Sequence, residues 1–353
     1  MTSPCACHTN SVLAAKNSVR STIPAKGILM SLKVICRKVL DGHPLADSDI
    51  RYIVTLPSDR LGELLTCAHA IRTARFGTQV SLCAIINAKS GTCSEDCSFC
   101  AQSGHHGGKS PEYPLLPANE IATAAGSAQK NGVTRFGIVA SGKLVGERDL
   151  AGFTEAVRKV AALGMAPDLS PGILKPAQLK ALKNAGLKGY HHNLETSASF
   201  FPQMCTTHEY AEDVAAVQAG VEAGLYVCSG GIFGIGESWD DRVELALLLN
   251  ELGVHSVPIN FLHPIAGTPL EKRKPLAPEE ALKLVALYRF LLPDSALRIC
   301  GGRLTVFGEN RKAELLGSGV NGLMVGDYLT VKGGNVASDL EDIDHAGLQP
   351  ETE

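Results

Sequence analysis

From residue 80 to residue 325 the chain alternates short apolar stretches with amphipathic ones, and that alternation limits the folds open to it. Strands are expected near Val80–Asn87, Arg135–Ala140, Met165–Ser170, Gly189–Leu194, Leu225–Gly231, Ser256–Phe261, Ala296–Cys300 and Gly319–Val325. Helical periodicity falls between them, near Ala118–Asn131, Asp149–Leu163, Pro176–Ala185, Tyr210–Ala223, Asp240–Leu252, Pro278–Leu291 and Asn310–Leu316. Gly132, Gly164, Gly186, Gly224 and Gly253 stand where a helix ends on a left-handed residue. Eight strands with helices between them imply an α/β fold, a parallel (β/α)8 barrel of the TIM type. Such a barrel needs roughly 250 residues and carries its active site at the C-terminal ends of its strands. The 353 residues leave room for an N-terminal helical extension over 31–79, with helices at Ser31–Leu40 and Asp59–Phe76, ahead of a barrel over 80–334 and a C-terminal tail over 335–353.

Composition removes several function classes. No apolar run reaches the roughly 20 residues of a membrane span, and a net charge of −3 argues against a nucleic-acid partner. No secretory signal is visible, and scattered cysteines suit a reducing compartment, so a cytoplasmic location is expected. The first 30 residues contain no Asp or Glu but do contain Lys16, Arg20 and Lys26. That composition fits a transit peptide, but a disordered leader, or a true start at Met30, is favoured. Cys5, Cys7 and His8 are then spectators.

The chemistry points to Gly91-Thr-Cys-Ser-Glu-Asp-Cys-Ser-Phe-Cys-Ala101, in which Cys93, Cys97 and Cys100 follow a CxxxCxxC spacing on the long loop after the first strand. Three thiolates holding a [4Fe-4S] cluster leave one iron without a protein ligand. S-adenosylmethionine (SAM) can chelate that iron through its amino and carboxylate groups, and reductive cleavage then gives a 5′-deoxyadenosyl radical. A zinc site that recruits His105 or His106 is the bland alternative, and a disulfide a weaker one.

Further along come Tyr190-His-His-Asn-Leu-Glu-Thr-Ser197, Val227-Cys-Ser-Gly-Gly-Ile-Phe-Gly-Ile-Gly-Glu237, Ser256-Val-Pro-Ile-Asn-Phe261, Gly267-Thr-Pro-Leu270 and Gly326-Asp-Tyr-Leu-Thr330. Together with the cysteine loop, in this order, these segments resemble the biotin synthase family from about Met30 to Gly334. The resemblance implies a radical SAM barrel that inserts sulfur into dethiobiotin, draws electrons from a flavodoxin or ferredoxin, and forms a homodimer. It implies that Asn193 and Glu195, on one face of the fourth strand, meet the ribose hydroxyls and amino group of SAM, with Phe99, Gly230, Gly231 and Ile232 completing that site. It also implies that Asn260 meets the ureido ring of the substrate. The glycines of 230–236 fail as a dinucleotide fingerprint. As a strand end they are expected to let the backbone approach the adenosine closely.

The chain departs from the family at the sulfur source, an auxiliary [2Fe-2S] cluster on three cysteines and an arginine. Cys228 and Arg298 match, but Gly137 and Asp168 stand at the other two positions, and a carboxylate is a hard ligand for an iron–sulfide cluster. Cys300, two residues after Arg298, shares its interior face. The expectation is a relocated cluster, [2Fe-2S] or larger, on Cys228, Cys300, Cys205 and one further cysteine, with Cys67 and Cys83 as weaker candidates and Cys36 a buried apolar filler. Asp213 stands where the family has a basic residue near SAM. The alternatives are a radical SAM enzyme of this fold without sulfur insertion, like a hydrogenase maturase or methylornithine synthase, and, more remotely, a non-catalytic iron–sulfur protein.

Overall fold

The computed structural model describes residues 31–329 and 331–351, with backbone alone for 331–333. The expectations for residues 1–30, Cys5, Cys7 and His8 included, lie outside the described residues. Three helices lead in: α1 (Leu32–Leu40), α2 (Asp47–Val54) and α3 (Leu61–Phe76). The Val34 N–H donates to the Ser31 hydroxyl and caps α1. The α2 helix escapes the periodicity reading because it is short and polar. It is held by Asp49, which accepts from the Ala46 N–H at 3.0 Å and pairs with Lys38 at 2.8 Å.

The barrel strands are β1 (Gln79–Lys89), β2 (Arg135–Ala140), β3 (Ala166–Ser170), β4 (Gly189–His191), β5 (Tyr226–Cys228), β7 (Ser256–Phe261), β8 (Ala296–Ile299) and β9 (Gly322–Met324). They pair in parallel in that order, and β9 returns to β1 to close the ring. A short β6 (Gly231–Phe233) resumes after β5 and pairs with β7. Around the ring lie α4 (Ala118–Gln129), α5 (Glu147–Ala162), α6 (Pro176–Asn184), α7 (Tyr210–Glu222), α8 (Trp239–Glu251), α9 (Pro278–Leu291) and α10 (Arg303–Arg311). All five glycines expected to end helices take positive φ.

Alternation along each strand splits the residues into two sets. Leu82, Phe136, Ile138, Leu169, Val227, Leu297 and Leu323 join helix residues such as Phe153, Val157, Leu179 and Leu249 in the apolar core. The opposite set is mostly polar or sulfur-bearing: Ser81 and Cys83 on β1, Arg135 on β2, Asp168 on β3, Tyr226 and Cys228 on β5, and Arg298 on β8, with Gly137 among them and Ile85 and Val139 lining the cavity above. An apolar shell thus encloses a reactive interior.

From Arg303 onward the chain differs from expectation. The final helix starts earlier, at Arg303, and breaks at Gly308 (φ 61°) before a 3-10 turn over Lys312–Gly317. After β9, β10 (Gly326–Tyr328) and β11 (Val331–Gly334) form an antiparallel hairpin. The tail is ordered into α11 (Val336–His345) and β12 (Gln349–Pro350), which adds in parallel to β1 at Gln79 and Val80. Asp339 of α11, buried, receives both Arg303 and Lys312. That explains how so polar a helix docks.

Candidate active site

A cavity of ≈ 370 Å³ opens at the C-terminal end of the strands and is lined by Cys93, Cys97, Cys100, Glu195, Asn260 and Cys300 among others. The cysteine loop folds back on itself. The Cys93 N–H donates to the Gln102 carbonyl at 2.9 Å, the Gly104 N–H to the Cys93 carbonyl at 2.8 Å, and the Cys100 N–H to the Cys97 carbonyl at 2.9 Å. Thr92, at φ 46°, makes the left-handed turn that starts it. His105 donates Nε2–H to the Ser94 carbonyl at 2.9 Å, and His106 sits 3.0 and 3.2 Å from the Asp96 and Cys97 carbonyls. The two imidazoles therefore fasten the loop from behind rather than complete a zinc site.

Charge on Cys100 is felt at Cys97, and charge on Cys93 is felt at Cys100. Burial, with the Cys93 charge nearby, pushes Cys100 up to about 11. Three half-buried thiolates on one short loop repel one another unless a cation lies between them, and an iron cluster fits this donor set.

Beside the loop the chain leaves β4 and runs irregularly to Glu195, whose φ of 64° places it in the left-handed region. The Asn193 Oδ1 accepts the Gly230 N–H at 3.2 Å, and its Nδ2 reaches the Glu195 carboxylate at 3.4 Å. Burial raises Glu195 to about 8, against the opposing Asn193 bond. Phe99 and Ile232 pack with Phe200, Met204, Ile235 and Leu262 as the apolar side of this wall.

The glycines also serve the packing of the strands. A Cβ on Gly230 would lie 2.1 Å from the Pro258 carbonyl oxygen, and one on Gly231 2.4 Å from that of Glu195. The close approach that these glycines permit is to neighbouring backbone, where β4, β6 and β7 converge. The N–H groups of Gly234, Ile235 and Gly236 all donate to the Glu237 carboxylate. This loop is sealed from within and offers no phosphate cradle.

Below the cavity the interior holds sulfur. Cys83, Cys228 and Cys300 all act on the Arg298 guanidinium, which burial alone would lower and which they hold raised. Arg298 crosses to β1, where it donates to the Ser81 carbonyl at 3.1 Å and its hydroxyl at 3.0 Å. Gly322 leaves it room, since a Cβ there would sit 3.3 Å from the Arg298 side chain. Burial raises all three thiols, Cys228 to about 11.

The two departures from the family pattern also have a physical reading. Asp168 is held by Arg135 in a two-pronged pair, Oδ1 to Nη2 at 2.6 Å and Oδ2 to Nε at 3.0 Å. The guanidinium lies 4.0 Å over the Tyr226 ring. Gly137 pairs with Asp168 in register, and a Cβ there would meet Ile85 at 3.0 Å. Both positions belong to the barrel floor.

Two further thiols fall elsewhere. Cys67, on α3, lies against Cys36 of α1, whose thiol reaches the Cys67 carbonyl at 3.8 Å. Cys205 follows β4, but its segment turns to the cysteine loop, where its side chain contacts Cys97. Neither joins Cys228 and Cys300. Cys83, ranked below Cys205 on sequence, is the cysteine that does.

Asn260 is locked in place. Its Oδ1 accepts from the Gly301 N–H and the Tyr328 hydroxyl, each at 3.0 Å, and its Nδ2 donates to the Gly231 carbonyl at 3.3 Å. One N–H remains for a ligand. Sequence reasoning assigned Tyr328 no role, although its motif was visible. It also missed a buried ionic chain: His192 Nε2 meets Asp213 at 2.8 Å, and His208 bridges Asp213 at 2.9 Å and Glu95 at 2.6 Å. The Asp213 and Glu95 bonds raise His208 to about 9. The acidic residue in place of a basic one thus meets two imidazoles.

Two family profiles match the chain: the Radical SAM superfamily over residues 88–249, and the Biotin and Thiamin Synthesis associated domain over 258–349. Curated relatives include the biotin synthase of Syntrophotalea carbinolica, 43% identical over 89% of this chain and 96% of that protein. The biotin synthase of Trichlorobacter lovleyi is 46% identical over 90% of this chain and 96% of that one. Among solved structures, methylornithine synthase superposes with a TM-score of 0.78 at 21% identity, covering 90% of this chain and 97% of that one. An [FeFe]-hydrogenase maturase gives 0.78 at 16%, covering 90% and 75%. At those identities the two structures speak for the fold alone.

Proposed function

The chain belongs to the biotin synthase family of radical SAM enzymes, and on that premise we propose which of its residues carry out the conversion of dethiobiotin to biotin. A [4Fe-4S] cluster and SAM are the cofactors of this chemistry and dethiobiotin is the substrate. Cys93, Cys97 and Cys100 hold the cluster. When bound, the cluster and SAM supply the deoxyadenosyl radical that removes hydrogen from the substrate, and an auxiliary iron–sulfur cluster supplies the sulfur.

The chain's own groups position and shield. Asn193 and Glu195 receive the hydroxyl and amino groups of SAM, Phe99 and Ile232 flank it with apolar surface, and Gly230 and Gly231 hold the strands that carry this wall. Asn260, fixed by Tyr328 and Gly301, presents its remaining N–H to the ureido carbonyl. The apolar shell keeps water and competing hydrogen donors from the radical.

One observation supports sulfur insertion over the sulfur-free reactions of this fold: three thiols, Cys83, Cys228 and Cys300, converge with Arg298 beneath the cavity. Soft thiolates beside a fixed cation suit an iron–sulfide cluster. We assign the auxiliary cluster to this set, in place of one that includes Cys205. A flavodoxin or ferredoxin donor, a homodimer and a cytoplasmic location complete the proposal. No helix among the described residues is long and apolar enough to cross a membrane.

Anaerobic turnover of the reconstituted protein with SAM, reductant and dethiobiotin tests the reading, with both products followed by mass spectrometry. Deoxyadenosine together with biotin is expected. Deoxyadenosine with neither biotin nor a thiolated intermediate would move the protein to the sulfur-free relatives.

A further inference from the structure

The run Cys205-Thr-Thr-His208, between β4 and α7, lies along the cysteine loop and brings a CxxH pair to a carboxylate. The Ser98 N–H and hydroxyl both donate to the Met204 carbonyl, at 2.8 and 3.0 Å. The Thr206 N–H donates to Asp96 at 2.8 Å, and the Asp96 N–H donates back to the Thr207 hydroxyl at 3.3 Å. These bonds fix the register of run and loop, and so set Cys205 and His208 opposite Glu95.

Three different donor atoms meet there. His208 Nδ1 lies 2.6 Å from Glu95 Oε2 and 3.3 Å from Cys205 Sγ, and the three atoms lie within 4.8 Å of one another. Cys205 is 3% exposed and Glu95 8%. The far side of the ring is held as well: His208 Nε2–H donates to Asp213 at 2.9 Å, and Asp213 accepts from His192 at 2.8 Å. A carboxylate on one ring nitrogen is the arrangement that orients a metal-bound histidine and fixes which nitrogen faces the ion. Among the described residues no lysine or arginine bonds to Glu95 or Asp213. Without metal, one imidazolium answers two carboxylates, and the pocket has room for more positive charge.

We propose that Glu95, Cys205 and His208 form a binding site for a zinc ion, separate from the three loop cysteines. A sulfur, an imidazole nitrogen and a carboxylate oxygen are the three donor types that zinc takes, whereas magnesium and calcium ask for oxygen alone. Donors around a tetrahedral zinc stand about 3.3 to 3.6 Å apart. The nitrogen–sulfur contact already has that spacing. The nitrogen–oxygen contact needs to open by about 0.7 Å as the ion takes the place of the proton between them. Glu95 and His208 line the cavity, so the fourth position is open to water or an anionic oxygen from that side. The ion would pin the run to the cysteine loop through bonds stronger than the hydrogen bonds that now set its register.

The test is zinc uptake by full-length protein first reconstituted anaerobically with iron and sulfide, so that the iron sites are filled. Zinc, iron and sulfide are counted after desalting, and the zinc site is characterised by X-ray absorption. A zinc ion per chain with iron unchanged is expected, with one sulfur and otherwise nitrogen and oxygen around it. Cys205→Ser and His208→Ala should lose it, and Asp213→Asn should bind about 10- to 100-fold more weakly. Cobalt in place of zinc should show a thiolate charge-transfer band that Cys205→Ser removes. Zinc should also remain in Cys93→Ala/Cys97→Ala/Cys100→Ala, which uses none of the proposed ligands. Absence of uptake, uptake only at the expense of iron, or two or more sulfurs around the zinc would each overturn the inference. So would uptake that Cys205→Ser and His208→Ala leave unchanged, or that the triple variant abolishes while keeping its circular dichroism.

Discussion

The two sulfur sites of this molecule are built in opposite ways. The loop site takes Cys93, Cys97 and Cys100 from one run of eight residues, and local hydrogen bonds bring them together. The interior site takes Cys83 from β1, Cys228 from β5 and Cys300 from the end of β8, and only the closure of the barrel makes them neighbours. A site made by spacing survives changes elsewhere in the fold. A site made by register can change its ligands whenever two strands exchange a residue, provided that the interior keeps its volume and charge. Here Gly137 and Asp168 stand where the family pattern has ligands, while Cys83 and Cys300 join Cys228 around Arg298, close enough to Asp168 for Cys83 and Cys228 to feel its charge.

The comparison breaks most visibly if the sites fail to separate by product. Cys93→Ala, Cys97→Ala or Cys100→Ala should each reduce deoxyadenosine formation to background, because each variant removes one of the three thiolates the cluster needs. Replacement of Cys83, Cys228 or Cys300 by Ala should abolish biotin yet leave SAM cleavage in place, with iron and sulfide falling by the auxiliary cluster's share. Cys67→Ala should change neither product. Biotin formation by Cys83→Ala at the wild-type rate would sink the interior assignment.

How much could be read in the sequence follows the same division. The barrel was legible because strand and helix periods alternate and glycines end the helices. The loop was legible because its ligands are neighbours in the chain. The interior was half legible: Arg298 and Cys300 share a face by period two, but nothing local says that β1 will stand beside β9, which brings Cys83 under Arg298. Cys205 misled for a related reason. It follows β4, and strand order alone would leave it near Cys228, but polar bonds to Asp96 and Glu95 draw its segment to the loop. The ordered tail was hard to read because the narrow apolar edge of α11, Val336, Leu340 and Ile343, is interrupted by Asp339, which is buried on Arg303 and Lys312.

The floor supplies a prediction of intermediate size. Asp168→Ala would leave Arg135 partly buried with no carboxylate, and loss of one partner from such a pair costs about 3 kcal/mol. The stacking on Tyr226 recovers some of that. Denaturant unfolding of the apo protein should show the loss, while Asp168→Ala/Arg135→Met should recover most of it by removing the orphaned charge. If Asp168→Ala leaves stability unchanged but removes auxiliary iron, Asp168 is a ligand after all, and the interior set must be redrawn.

The smallest effect concerns Glu195, which lies between the two sites and whose charge is felt at both Cys100 and Tyr328. Burial raises it to about 8, so the free protein holds it protonated at neutral pH. A carboxylate that must ionise to accept from SAM hydroxyls and its ammonium group binds best above that value. The sign is therefore that SAM affinity rises with pH and levels off above about 8, changing by up to tenfold per unit well below it. Glu195→Gln should bind more weakly at high pH and show a flat profile over the same range. Asp213 and Glu95 raise His208 to about 9, and only the imidazolium donates to both carboxylates, so a fall in affinity above 9 belongs to this buried ionic chain and should vanish in His208→Gln. A wild-type profile that is flat between pH 6.5 and 8.5 would mean that SAM meets Glu195 in its neutral form, as a donor rather than an acceptor. The wall facing the loop site would then recognise its ligand by shape and neutral hydrogen bonds, leaving Arg298 in the interior as the charge that distinguishes the two sites.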